Sequence, residues 1–325
     1  MKHRDGSLKK DDTLQAIPLA CADERAAVEL IEAKVWGGDP RCPHCESRSV
    51  YQMTDRKTGE RNSRWLWRCR ECKRQFTVRI NTIFQDSKIP MRFWVFAIWQ
   101  MSAAKKGVSA LQIRRQTGIS YKSALFMLHR IRWAMNGTGG GLLGGPGRVI
   151  EADETYVGGK PRYPKTRENQ RKTGRGTTKT PVFAVVERGG DVRMSVLKRV
   201  TGMDLGRAML EQADLSSRLL TDEWPAYKHV GSYFDGGHYR VKHKAREYVR
   251  KGQRGIHSNT AESVFSLLKR GLMGTFHSVS TKHLHRYLAE FQFRWNTRVM
   301  GDGERFSRAL ASSMGKRLRY STPGQ

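Results

Sequence analysis

Val149-Ile150-Glu151-Ala152-Asp153-Glu154 is a short apolar run that closes on carboxylates. Its Val, Ile and Ala predict a buried strand, Val149 to Asp153, that delivers Asp153 to the end of a sheet. A second run, Leu219-Leu220-Thr221-Asp222, has the same form and ends on Asp222. A third acid, Glu262, lies in His257-Ser258-Asn259-Thr260-Ala261-Glu262, in the first turn of a helix expected from Asn259 to Lys269. Carboxylates gathered from distant parts of a chain at one sheet edge suit Mg²⁺, which wants oxygen ligands and usually takes only a few from protein.

Between these acids the order of elements is informative. Val182 to Glu187 and Val192 to Leu197 read as a hairpin through Arg188-Gly189-Gly190-Asp191. Met203 to Gln212 reads as a helix, Arg218 to Thr221 as a strand, Glu223 to Val230 as a short helix and Tyr239 to Val241 as a fifth strand. Three strands with a hairpin, then helix, strand, helix, strand, helix, is the order of an RNase H-like mixed α/β sheet. In it the first and fourth strands are neighbours, so Asp153 and Asp222 would meet, with the Glu262 helix packed across them.

Each acid also has a purely structural reading. Asp153 can cap a turn before Gly158-Gly159, Asp222 can N-cap a helix starting at Glu223-Trp224-Pro225, and Glu262 can complement its helix dipole. Glu151 alternates with Asp153 on one strand face and is placed to approach the same site, whereas Glu154 and Glu223 are expected to point away. Asn259, three residues before Glu262, and Lys269, seven after it, share the helix face of Glu262.

The chain of 325 residues carries 60 Lys and Arg against 30 acidic residues, a net charge of +30. Such an excess answers a polyanion, most simply DNA or RNA. Two basic runs flank the acids: Lys160 to Lys179 has eight Lys and Arg against one Glu, and Arg240 to Arg254, including Lys242, Lys244 and Arg246, has seven against one. Both are suited to backbone phosphates. Eight tryptophans and 38% hydrophobic residues argue for real cores. Phe93 to Trp99 is too short to span a bilayer, and the first twenty residues lack a signal-peptide core, so a cytoplasmic or nucleoid protein with no membrane partner is expected.

Four of the five cysteines form Cys42-Pro43-His44-Cys45 and Cys69-Arg70-Glu71-Cys72, with 23 residues between the pairs. Paired thiolates of this spacing, with β-type runs at Val50 to Gln52, Arg64 to Arg68 and Gln75 to Val78, predict a zinc ribbon over residues 40–80. His44 lies inside a knuckle as an alternative ligand. Residues 1–39 read as a polar lead-in followed by one helix, Asp23 to Val35. Residues 90–135 read as helical: an apolar helix from Met91, then Val108 to Gln116, a turn at Thr117-Gly118-Ile119, and Ser120 to Trp133. The last three resemble a helix-turn-helix that offers Tyr121, Lys122, Arg130 and Arg132 to DNA, or else an ordinary helical hairpin. Residues 136–147, with seven glycines, read as a flexible linker. The sheet domain then spans 148–300, and 301–325 is a basic tail.

Together these motifs resemble a bacterial insertion-sequence transposase of the DDE type, from the group with an N-terminal zinc ribbon. The resemblance rests on the cysteine pairs, Asp153-Glu154-Thr155-Tyr156-Val157-Gly158-Gly159-Lys160, Thr221-Asp222-Glu223 with Tyr227, and His257-Ser258-Asn259-Thr260-Ala261-Glu262-Ser263. It extends through Leu267-Leu268-Lys269-Arg270-Gly271 and Gly274-Thr275-Phe276-His277 to His283-Leu284. It implies a homo-oligomer on double-stranded DNA that cuts at terminal inverted repeats and joins freed 3′-ends to target DNA, using Mg²⁺ or Mn²⁺ and a structural Zn²⁺. It carries over Asp153 and Asp222 as metal-binding aspartates. The group's third position is Asn or Glu, with a lysine, so Asn259, Glu262 and Lys269 are candidates. Glu262 is preferred because a carboxylate holds Mg²⁺ more strongly than an amide. The alternatives are a non-catalytic DNA-binding regulator and an RNase H-like nuclease that does not join.

Overall fold

A computed structural model describes residues 12–137, 140–159, 179–241 and 257–318. It divides into two units, Met1–Met135 with Val299–Gln325, and Asn136–Arg298. In the first, the expected helix forms as α2, Glu24–Trp36, where Asp23 accepts from the Ala26 amide and Gly37, at φ 59°, ends it. Such a cap contributes about 1 kcal/mol. The segment before it is more than a lead-in, because Asp12–Ala22 is a helix, α1, packed on α2 through buried Ile17 and Ala20. Pro18 inside α1 conceals it in the sequence, since an interior proline costs an isolated helix about 3 kcal/mol. Here tertiary packing offsets that cost.

The ribbon strands β1 (Val50–Gln52), β2 (Trp67–Cys69) and β3 (Gln75–Phe76) form an antiparallel sheet in chain order. Buried Glu32 ties α2 to it, accepting from Arg61 Nη2 at 2.5 Å and Trp67 Nε1 at 2.9 Å. Next come α3 (Met91–Ala103), α4 (Ala110–Thr117) and α5 (Tyr121–Met135). Gly118, at φ 76°, ends α4, and the Ser120 hydroxyl accepts from the Ser123 amide to start α5.

Only the first turn of α5 is exposed. From Met127 onward almost every side chain is buried, including Arg130 and Arg132, the latter only 1% exposed. Arg130 Nη1 donates to the carbonyls of Ile83 and Gln85, both at 2.8 Å. This corrects the expectation that Arg130 and Arg132 are offered to DNA.

In the second unit, β4 (Val149–Val157), β5 (Thr180–Glu187), β6 (Val192–Val196), β7 (Arg218–Asp222) and β8 (His238–Val241) form one sheet in the order β6-β5-β4-β7-β8. β6, β5 and β4 are antiparallel, whereas β7 runs parallel to β4 and β8. The domain's first and fourth strands are therefore adjacent, as in an RNase H-like sheet. One face carries Ile150, Ala152, Phe183, Val185 and Leu219 against α6 (Gly202–Leu210) and α7 (Tyr227–Gly231). The other carries Val182, Ala184 and Val186 against α8 (Asn259–Gly271) and α9 (Thr281–Asn296), which are joined through a π-helical turn, Leu272–Phe276.

β4 is longer than its apolar run suggests. It pairs with β5 out to Val157 opposite Thr180, but with β7 only from Val149 to Glu151. Asp153 is thus not at the strand's end. It sits just past the end of the parallel ladder, where the β4 edge is released.

Residues 140–147 are docked on this unit, contrary to the flexible linker expected. The Leu143 amide donates to Gln212, the Leu143 carbonyl accepts from Asp214, and the Gly145 amide donates to Ser217 Oγ, each at 2.8 Å. Gly144, at φ 94°, is required: a Cβ there would lie 2.0 Å from Ser217 Oγ. The expected basic tail also contains a helix, α10 (Asp302–Ala311), whose buried Phe306, Ala309 and Leu310 pack in the first unit on α2, α3 and α5. Glu304 and Arg305 before Phe306, and Ser307 and Arg308 after it, disguise it. No helix among the described residues is long and apolar enough to cross a membrane.

Candidate active site and zinc centre

Register decides which acids share a face. Glu151, Asp153 and Thr155 lie opposite Val186, Ala184 and Val182, the β5 residues that face α8. Leu220 lies beside Glu151, so alternation puts Asp222 on the same face as Asp153. Helix α8 crosses that face with Glu262 in its first turn. The result is a cleft of about 690 Å³ lined by Asp153, Glu154, Glu262, Lys269, Arg270 and Met273, among others. Neither Asp222 nor Asn259, which is exposed in the first turn of α8, is among its lining residues.

The Asp153 carboxyl is pushed up to about 8. Burial is the largest cause, the charge of Glu154 the next, and Asp222 and Glu262 add to it. A hydrogen bond from the Glu154 amide, at 2.8 Å, works the other way. A carboxyl raised by burial and by three acidic neighbours is one whose charged form a divalent cation would favour, so these donors fit Mg²⁺ or Mn²⁺. They are not crowded round one point. Among the described residues, the only three or more Cys, His, Asp or Glu ligand atoms within 4.8 Å of one another are the cysteines. Asp153 is the shared member of the acidic set, feeling Asp222 and Glu262 alike.

Asp222 does not N-cap a helix at Glu223 as its structural reading has it: α7 starts only at Tyr227, and Asp222 Oδ1 accepts from the Trp224 amide at 2.9 Å in a turn before it. Glu154 points away from Asp153. Its side chain lies on the face opposite Asp153, where buried Tyr227 donates its hydroxyl to Oε2 at 2.7 Å, yet it still lines the cleft. Burial first, then the charge of Glu154, raises the Tyr227 phenol well above its ordinary range and keeps it a donor.

Glu151, by contrast, does not line the cleft it is expected to approach. Fully buried, it accepts from Arg188 Nε and Nη2 at 3.0 and 2.7 Å, and from the Thr260 amide, the Thr260 hydroxyl and the Ala261 amide at 2.8, 2.8 and 3.0 Å. Neither Arg188 nor Thr260 stands out in the sequence as its partner, because they lie 37 and 109 residues away.

The four cysteines form the second centre. Cys42 and Cys72 sulfurs are 3.5 Å apart, Cys45 and Cys69 are 3.6 Å apart, and all four lie within 4.8 Å. A tetrahedron with Zn–S near 2.3 Å has sulfurs about 3.8 Å apart. The two knuckles repeat each other. Glu46 and Lys73, each just after its pair, take φ near 60°, and the Cys42 and Cys69 amides donate to Ser47 and Arg74, two residues past each pair's second cysteine. Trp36, Trp67 and Phe76 pack around them. His44 is outside the sulfur cluster.

Of the residues expected to touch DNA, Tyr121 and Lys122 are exposed at the start of α5. Arg114 and Arg115 are also exposed, in the last turn of α4. Lys242, Lys244 and Arg246, with the run from Lys160, lie outside the described residues.

Residues 142–296 match the model of the ISXO2-like transposase domain, and residues 22–75 match the transposase zinc-ribbon domain. The chain is 28% identical over 280 residues to an uncharacterised protein in transposable element ISH50 of Halobacterium salinarum, covering 83% of this chain and 90% of that one. Among solved structures it is similar to a Mos1 transposase paired-end complex with left transposon end, at 16% identity over 60% of this chain and 74% of that one, TM-score 0.20. A mariner Mos1 paired end complex with Mg is similar at 11% identity over 96% and 100%, TM-score 0.25. Those superpositions are too loose to bear on the fold, which stands on strand order and register. Both domains of the zinc-ribbon transposases are present, in order, on one chain. Residues 22–75 thus belong to the transposase zinc ribbons and residues 142–296 to the ISXO2-like transposase domains.

Proposed function

We propose that this transposase binds the terminal inverted repeats of its element in the cytoplasm, cleaves to free 3′-hydroxyls and joins them to target DNA. The observation that carries the reading is one cleft lined by Asp153 and Glu262 together with Lys269 and Arg270, with the charge of Asp222 felt at Asp153. Acids for cations and cations for phosphate in one cleft match phosphoryl transfer.

Asp153, Asp222 and Glu262 would hold Mg²⁺ or Mn²⁺, which when bound activates a water or 3′-hydroxyl and stabilises the leaving oxygen. Lys269 and Arg270 pair with the phosphate and orient it toward the acids. Asp153 must give up its proton before it can act as a ligand. In joining, the 3′-hydroxyl oxygen forms the new P–O bond as the bridging P–O bond of the target breaks, with no covalent enzyme intermediate. Tyr121, Lys122, Arg114 and Arg115 contact duplex DNA, and Lys242, Lys244 and Arg246 are assigned to its phosphates on sequence alone. Two ends must be handled together, so a homo-oligomer assembles on DNA.

Purified protein with Mg²⁺, labelled element-end DNA and plasmid target tests this. Joined products are expected. Cutting without joining would make the chain a nuclease, and binding alone a regulator.

A further inference from the structure

Among the described residues of the sheet, Glu151 is the fully buried acid that the proposed chemistry leaves without a task. It is 0% exposed, sits two residues before Asp153, and receives five donors from two other elements. The first amides of a helix have no partner inside it. Glu151 Oε2 accepts two of these from α8, those of Thr260 and Ala261, and Oε1 accepts the Thr260 hydroxyl and both Arg188 donors. The next residue on the helix is Glu262. Strand and helix are therefore pinned to each other within two residues of Asp153 and one residue of Glu262.

We propose that Glu151 is a positioning residue that fixes α8 on β4 so that Glu262 and Asp153 act on the same cation. The inference rests on reading those two as metal ligands. Arg188 supplies the opposite charge that a carboxylate at zero exposure requires. Both carboxylate oxygens face donors, so glutamine cannot substitute: in either orientation its NH₂ group would meet N–H or O–H donors. The capped end also sets α8 along its axis, where a slip of one residue moves Glu262 by about 1.5 Å and turns it by about 100°.

Mn²⁺ titration of the full chain, followed by the electron paramagnetic resonance of the free ion, tests this without reference to DNA. Glu151→Gln is expected to weaken Mn²⁺ binding about 10- to 100-fold, with the number of ions at saturation unchanged. Thr260→Val, which removes a single donor and serves if Glu151→Gln does not fold, should weaken it about 2- to 10-fold. Thr260→Ser should restore it. Wild-type affinity in a folded Glu151→Gln or in Thr260→Val would overturn the proposal, as would the loss of an ion at saturation, which would make Glu151 a ligand. An Asp153→Asn control separates the two levels: if it leaves Mn²⁺ binding intact, the metal-site reading fails, whatever Glu151 does.

Discussion

The Tyr227 hydroxyl donates to Glu154 at 2.7 Å on the face of β4 opposite Asp153, so the two acids stand back to back on one strand. Tyr227 is fully buried, and the bond partly neutralises the charge that most raises Asp153 among its neighbours. Tyr227→Phe should therefore cost about 1.5–3 kcal/mol in urea unfolding, as for a hydrogen bond to a charged group. It should also move the pH profile of Mg²⁺-dependent activity upward. An unchanged profile with lowered stability would confine Tyr227 to the core.

Asp153 gives a prediction about pH and stability. Its carboxyl sits at about 8 in the folded metal-free protein against an ordinary 3.8. Between these values the folded chain holds a proton that the unfolded chain has lost, so this stabilisation is complete below about pH 4 and fades as pH rises toward 8. Metal-free wild type should lose melting temperature relative to Asp153→Asn from pH 5 to 8.5, and saturating Mg²⁺ should shrink the difference. Parallel curves would contradict the assignment.

The sulfur tetrahedron predicts about one zinc per chain. Cys69→Ser, or chelation, should release it and unfold the small sheet β1–β3, whose core is little more than the cysteines with Trp36, Trp67 and Phe76. Near-ultraviolet circular dichroism of the tryptophans would report this. A native spectrum without zinc would show that the aromatic cluster holds the ribbon alone.

Exposure separates the arginines and lysines of the helical module. Lys122→Ala and Arg115→Ala should each weaken DNA binding and lower the salt slope of log K by about 0.9. Arg130→Met should leave that slope intact and cost about 1–3 kcal/mol, because two carbonyls lose their donor. A slope change in Arg130→Met would mean that its side chain leaves the core on DNA.

These contrasts show where sequence is informative. Val149 to Asp153 and Arg218 to Asp222 are legible because local apolar character ends on an acid, and element order then makes the strands neighbours. The length of β4 is not legible, since Glu154 to Tyr156 carry no apolar run and are held by pairing with β5. Arg130 looks like any helix-surface arginine until its carbonyl partners, 45 and 47 residues away, are known. Glu151 and Asp153 are equivalent by alternation. What separates them is Arg188 and Thr260, brought in by a hairpin and a helix.

Asp153 and Asp222 are proposed to hold the cation for strand transfer. The most direct measurement is joining of labelled element ends by Asp153→Asn and Asp222→Asn proteins at saturating Mg²⁺, with end binding measured in parallel. Joining is expected to fall more than about 100-fold in both while binding is retained, since removing a ligand should cost at least as much as removing its support. Joining at the wild-type rate in either variant would contradict it.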